Sequence, residues 1–175
     1  KVIKYIDWNP FFVTWQLNGT YPNKGYPNIF KDKLVGNQAK QLFDDAQELL
    51  TEIIDKKLLK ANGMIGLFKS NSVGDDIEIY DNENGNVLST IHGLRQQEER
   101  YDMKEFICMS DFIAPKETDI NDYIGIFAVS TGFGIEEIKK KYKDDNDDYK
   151  VIMIDSIADR LAEAFTEYLH KQVRI

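Results

Sequence analysis

The sequence predicts an α+β fold: a central antiparallel β-sheet built of hairpins, flanked by helices, with a long C-terminal helix. Three observations carry this. Between Gln38 and Leu59, the residues Leu42, Ala46, Leu49, Leu50, Ile53 and Leu58 form a helical stripe with acids and lysines opposite. Ile77 and Ile79 alternate with Glu78 and Tyr80, Val87 to Ile91 follows, and Asn84-Gly85 between them is a hairpin signal. From about Tyr149 to Val173, Ile154, Ile157, Ala158, Leu161, Phe165 and Leu169 share one face of a single long helix. Helix, antiparallel strands and terminal helix do not make a βαβ repeat.

In chain order, the stretch Asp7 to Leu17 gathers both tryptophans, Trp8 and Trp15, and the pair Phe11-Phe12 around one carboxylate. Pro10 biases Asn9 away from the helical region, so a helix is expected at or after Pro10. Asp7 either accepts hydrogen bonds from backbone N–H groups at the start of that helix or meets a ligand, because a lone buried carboxylate is costly. Asn18 to Asn28 holds glycine and proline turn pairs around Tyr21 and Tyr26 and reads as loop. Gly63 is expected to end the first helical region, before a buried strand at Met64 to Phe68.

Leu94 to Arg100 is polar and reads as a short helix or loop. Phe106 to Met109 and Phe112 to Ala114 are apolar pieces stopped by Pro115. Tyr123 to Val129 is the central-strand candidate, Ile135 to Tyr142 looks helical, and Lys143 to Asp148 is an acidic connector.

Composition narrows the class. The 175 residues are enough for one domain, 1–175, or part of one, with a sizeable core. No segment approaches the ~20 apolar residues of a membrane span. The first residues run from Lys1 through Lys4 straight into Asp7 and Trp8, which is no signal peptide, and the missing initiator Met suggests an excised piece of a larger chain. One cysteine, Cys108, gives no internal disulfide and fits a reducing, cytoplasmic compartment; its apolar neighbours make it a small buried thiol. A net charge of −8 argues against nucleic acid or an anionic membrane as partner.

Several motifs fail on inspection. Gly132-Phe133-Gly134 imitates a dinucleotide loop, but the third glycine is missing and Glu136 and Glu137 would repel a pyrophosphate, leaving a strand-to-helix turn. Asp144 to Asp148 lacks the central glycine and closing Glu of a calcium loop. His92 and His170 are the only histidines, so no multi-histidine metal site forms within the chain, and no nucleophile-elbow pattern is present. No catalytic or metal-ligating set emerges. On the last helix, Asp159, Glu163, Glu167 and His170 recur at steps of four, four and three and share a face, with Arg160 placed to pair with Glu163. That face is either a solvated charged surface or a set of carboxylates meeting a cationic ligand or partner.

Tyr5 to Trp15 resembles the opening of the activation domain of cobalamin-dependent methionine synthase. The resemblance continues, in the family's order, in Val73-Gly74-Asp75-Asp76-Ile77-Glu78-Ile79-Tyr80, Leu94-Arg95-Gln96-Gln97, Asp111 to Lys116, Asp122-Tyr123-Ile124-Gly125 and Ala158 to Phe165. It implies a domain that binds S-adenosylmethionine and supports reductive methylation of inactive cob(II)alamin to methylcobalamin, as part of a homocysteine methyltransferase. The partners it implies are the cobalamin-binding module of the same enzyme and a flavodoxin or flavoprotein reductase as electron donor. By resemblance, Asp7 is the acid that pairs with the ligand's amino group, and Glu163 is an acid on the helix facing the ligand and cobalamin side. Asp159 and Arg160 fall at positions facing the cobalamin module.

S-adenosylmethionine carries a sulfonium and an ammonium, so carboxylates suit it, and the faces of Trp8 and Phe12 offer cation–π attraction. The family pattern runs on to an Arg-Pro-x-x-Gly-Tyr-Pro segment, which this chain does not reach; a C-terminally truncated activation domain with part of the ligand site is the expectation. The alternative reading is a non-catalytic docking module for the cobalamin module or the electron donor, with Lys56, Lys57 and Lys60 as a candidate basic cluster.

Overall fold

The computed structural model describes residues 1–81, 85–101 and 104–175. Its helices are α1 (Asn9–Thr14), α2 (Gly36–Asp55), α3 (Ile135–Asp144) and α4 (Asp148–Val173), and its strands β1 (Lys60–Val73), β2 (Asp76–Tyr80), β3 (Val87–Ile91) and β4 (Asp122–Phe133). The strands form one sheet in the order β3-β2-β1-β4, so the expected α+β architecture is present. The chain divides into two compact units, residues 1–63 with 129–175, and residues 64–128.

The helical unit has the aromatic stretch at its centre. Trp8, Phe11, Phe12, Leu17 and Ile29 are buried with Leu42, Leu49, Leu50 and Ile53 of α2 and Met153, Ile154 and Ile157 of α4. The rings meet edge to face: Trp8 lies 5.3 Å from Phe11 and 4.9 Å from Phe43, and Phe12 lies 5.9 Å from Phe30. Helix α1 starts at Asn9, one residue ahead of the Pro10 limit, with Pro10 in its first turn where no N–H is required.

Helix ends explain where the sequence reading slipped. Helix α2 stops at Asp55, not Leu59, because Lys57 turns left-handed at φ 52°. The N–H of Leu58 then bonds the carbonyl of Ile53 at 2.9 Å and that of Lys57 bonds Ile54 at 3.2 Å, a Schellman closure. The same closure ends α1 at Gln16 and α3 at Asn146, so no glycine marks any of the three. Gly63 does not end a helix. It lies inside β1, where an added Cβ would stand 3.1 Å from the Phe165 ring of α4. The acidic run contributes a cap as well as a connector: Asp147 accepts the N–H of Lys150 at 3.0 Å at the start of α4. Gly134, at φ 98°, makes the expected strand-to-helix turn into α3.

Asp32 secures the loop before α2. It is buried, and its carboxylate accepts the N–H and hydroxyl of Thr20 at 2.9 and 2.7 Å and the N–H groups of Leu34 and Val35. These bonds, Thr20's first, hold its carboxyl well below the usual carboxylate range.

In the strand unit, β2 pairs antiparallel with β3 (Ile77↔Ile91, Ile79↔Ser89), as the alternation predicts, and β1 adds to the other side of β2, also antiparallel (Ser70↔Ile79, Ser72↔Ile77). The Asn-Gly signal falls on the connection between them, of which Asn82 to Asn84 lie outside the described residues; Gly85 has φ 68°. Leu94 to Arg100 forms neither helix nor strand. The candidate central strand, β4, stands at the end of the strand order.

The guanidinium of Arg95 ties this unit together. It donates to Asp75 at 3.0 and 2.7 Å, to both oxygens of Asp111 at 2.7 and 2.8 Å, and to the Phe106 carbonyl at 2.6 Å. The bonds to Asp111 and Asp75 raise the Arg95 pKa, and the Arg95 guanidinium, with the Cys108 N–H, pulls Asp111 down to about 2. Cys108 is buried, as expected. Few apolar side chains join it: Ile77 and Ile79 are buried, whereas Met64, Leu67, Leu88, Leu94, Phe112 and Phe127 remain open to solvent.

Ile154 is fully buried and Ile152 is half open on the same helix. Ile154→Ala should cost about 2–5 kcal/mol in chemical denaturation, and Ile152→Ala less than about 0.5 kcal/mol. For Asp32, the folded pKa lies below the ordinary value of 3.8, so its stabilisation is complete above that value and is lost as pH falls toward the folded one. Asp32→Asn should therefore lower the melting temperature at neutral pH, and thermal scans should show that gap narrowing below about pH 4.

Candidate functional site

Asp7 lies between the helical turn Ile3–Tyr5 and α1. Its Oδ1 accepts the backbone N–H of Asn9 at 2.9 Å and the Asn9 side-chain amide at 2.8 Å. The backbone contact at the helix start is therefore present, but it occupies one oxygen only. Oδ2 has no partner among the described residues, and the residue is exposed. Beside it, the Tyr5 ring stands 6.1 Å from Tyr168 of α4, which stacks at 6.4 Å on Phe165. These contacts tie the approach to Asp7 to the C-terminal half of α4.

On α4, Arg160 is buried at 6% exposure, whereas the Asp159 and Glu163 side chains are 69% and 60% exposed. The guanidinium grips both oxygens of Glu163, at 2.6 and 2.8 Å, and donates to Asp159 Oδ2 at 2.7 Å. Burial pulls the Arg160 pKa down, but the bonds to Asp159 and Glu163 outweigh it and the net shift is upward. One cation thus holds two carboxylates at the surface with their remaining lone pairs outward. Glu167 and His170 are exposed farther along the helix, and Leu161 and Phe165 are half-buried on another face.

The structure gathers Asp159, Arg160 and Glu163 into one ion triad and leaves Asp7 in a separate network with no bond to them. Such an arrangement offers anionic acceptors to a cation. Among the described residues, no group of three or more His, Cys, Asp or Glu side chains is placed to hold a metal ion. Of the candidate basic cluster, Lys56 is engaged with Glu52 at 2.8 Å, Lys57 forms the left-handed helix stop, and Lys60 opens β1; all three are exposed.

A family model described as the activation domain of vitamin B12-dependent methionine synthase matches residues 1–175. The chain belongs to this family. A solved structure titled "Crystal Structure of the MetH Reactivation Domain bound to AdoHcy" superposes with a TM-score of 0.85 at 45% sequence identity. The match covers 99% of this chain and 52% of that one, so the chain spans about half the length of that structure.

In this activation-domain chain, sequence reasoning missed Asn9, Asp32 and Arg95 as organising residues. Asp32 accepts the N–H groups two and three residues on, Leu34 and Val35, in the turn ahead of α2, a local pattern that an Asp in a turn offers. Arg95 stood inside a recognised block, but its partners Asp75 and Asp111 lie 20 and 16 residues away, beyond local pattern. At Asn9 the local pattern, through Pro10, speaks only to the backbone.

Arg160→Met keeps an apolar stem in the buried slot and removes all three charge-assisted bonds. It should cost about 1–2 kcal/mol in denaturant unfolding, whereas Glu163→Gln, which keeps an acceptor at the surface, should cost less than half of that.

Proposed function

We propose that this chain supplies an S-adenosylmethionine-binding portion of the methionine synthase activation domain and supports reductive methylation of inactive cobalamin. The observation that carries the reading is Asp7, an exposed residue in which one carboxylate oxygen takes two hydrogen bonds within the protein and the other has no partner among the described residues. An ammonium is a compact donor that such an oxygen suits. The solved relative is titled as bound to AdoHcy, the demethylated counterpart of S-adenosylmethionine, and is 45% identical to this chain where the two align.

In this reading Asp7 receives the ligand's amino group, and Glu163 adds negative charge on the side facing ligand and cobalamin. S-adenosylmethionine supplies a methyl group to cobalt held by another module of the enzyme. The chain's own residues bind and orient that donor and shield it from water, work that requires no general base. Asp159 and Glu163, held outward by Arg160, form the surface toward the cobalamin-binding module. The electron comes from a flavodoxin or flavoprotein reductase, with Lys56, Lys57 and Lys60 as its landing site. We infer a cytoplasmic setting from the lone buried cysteine. No helix among the described residues is long and apolar enough to cross a membrane.

The test is calorimetric titration of S-adenosylhomocysteine into the full-length protein and its Asp7→Asn form. Loss of the charge-assisted contact should weaken binding at least tenfold, about 1.4 kcal/mol. Unchanged affinity would remove Asp7 from the site, and absence of binding in both forms would leave a docking module.

A further inference from the structure

We propose that Asn9 is a positioning residue for the ligand-binding carboxylate of Asp7, an inference that rests on the function proposed above. Asn9 contacts Asp7 twice, through its backbone N–H at 2.9 Å and its side-chain NH2 at 2.8 Å, and both bonds end on the same oxygen. The two donors fill the lone pairs of Oδ1. Rotation of the carboxylate would break both, so Oδ2 is the atom left for a ligand.

The amide that does this is itself fixed from the far side. Asn9 Oδ1 accepts the backbone N–H of Tyr26 at 2.8 Å. A backbone N–H only donates, so the carbonyl oxygen of Asn9 must face Tyr26 and its NH2 must face Asp7. Tyr26 in turn is held by rings: its own lies 6.5 Å from Phe12 in a stacked arrangement, 5.6 Å from Phe30 and 5.4 Å from Phe43. Gly25 leaves the amide its room, since a Cβ there would stand 3.1 Å from Asn9 Oδ1. A chain of contacts therefore runs from the aromatic core through Tyr26 and Asn9 to the one free oxygen of Asp7.

An exposed carboxylate without this clamp samples several rotamers and loses that freedom when a ligand binds. A clamped one has lost it beforehand, which is preorganisation. The backbone N–H alone does not substitute, because it leaves the second lone pair of Oδ1 to compete for the ligand.

A double-mutant cycle in the full-length protein tests this, with S-adenosylhomocysteine as the titrant and calorimetric affinity as the readout. Asn9→Ala should weaken binding three- to tenfold when Asp7 is present and should have no further effect in the Asp7→Asn background. A merely structural role for Asn9 would lower affinity equally in both backgrounds, and that result, or no loss in either, would overturn the proposal. An Asp7→Asn form that binds as tightly as wild type would instead overturn the functional reading on which it rests. Gly25→Ala, which crowds the amide without touching Asp7, should give a smaller loss in the same sense, again only with Asp7 in place.

Discussion

Burial of the aromatic face of α1 is the constraint on which the helical unit depends. A six-residue helix cannot stand alone in water, so α1 exists because Phe11 and Phe12 are driven into the core shared by α2 and α4. That burial fixes Trp8 against Phe43 and leaves Trp15 5.3 Å from Tyr149, whose hydroxyl donates to Asp45 of α2 at 2.6 Å. The residues just ahead of the helix, Asp7 among them, inherit their position from it. The anionic site is thus set by packing behind it more than by any charge beside it.

Periodicity made the long elements legible. The stripes on α2 and α4 and the alternation of β2 and β3 reflect one-sided burial, which a sequence records directly. Helix ends were less visible because Gln16, Lys57 and Asn146 take the left-handed position that glycine usually announces. The placement of β4 at the sheet's edge was not legible either: an apolar run looks alike in a central strand and in an edge strand. For the candidate site, Asp7, Asp159 and Glu163 were singled out by family resemblance. The clamp on Asp7 joins residues 17 positions apart through a loop with no periodic pattern, and nothing local announces it.

The sequence blocks that identified the family acquire a physical meaning in the fold. Asp75, Arg95 and Asp111 belong to three separate blocks and converge on one guanidinium. Asp159, Arg160 and Glu163 belong to another and repeat the device, one arginine serving two carboxylates. Arginine suits both places because its planar fork engages two acids at once, which a lysine's point charge does not. One knot fastens a loop-rich unit, and the other sets acids on a helix surface.

The strand unit's open apolar side chains bear on how the isolated polypeptide behaves in solution. Met64, Leu67, Phe112 and Phe127 lie exposed in a chain whose charge is −8. Long-range repulsion between like-charged molecules is then what keeps copies apart, and it fades within about 3 Å in molar salt. Colloidal stability of this chain is accordingly electrostatic in origin: neutral buffers of low ionic strength favour dispersion, while added salt or acid brings sticky surfaces within range of one another.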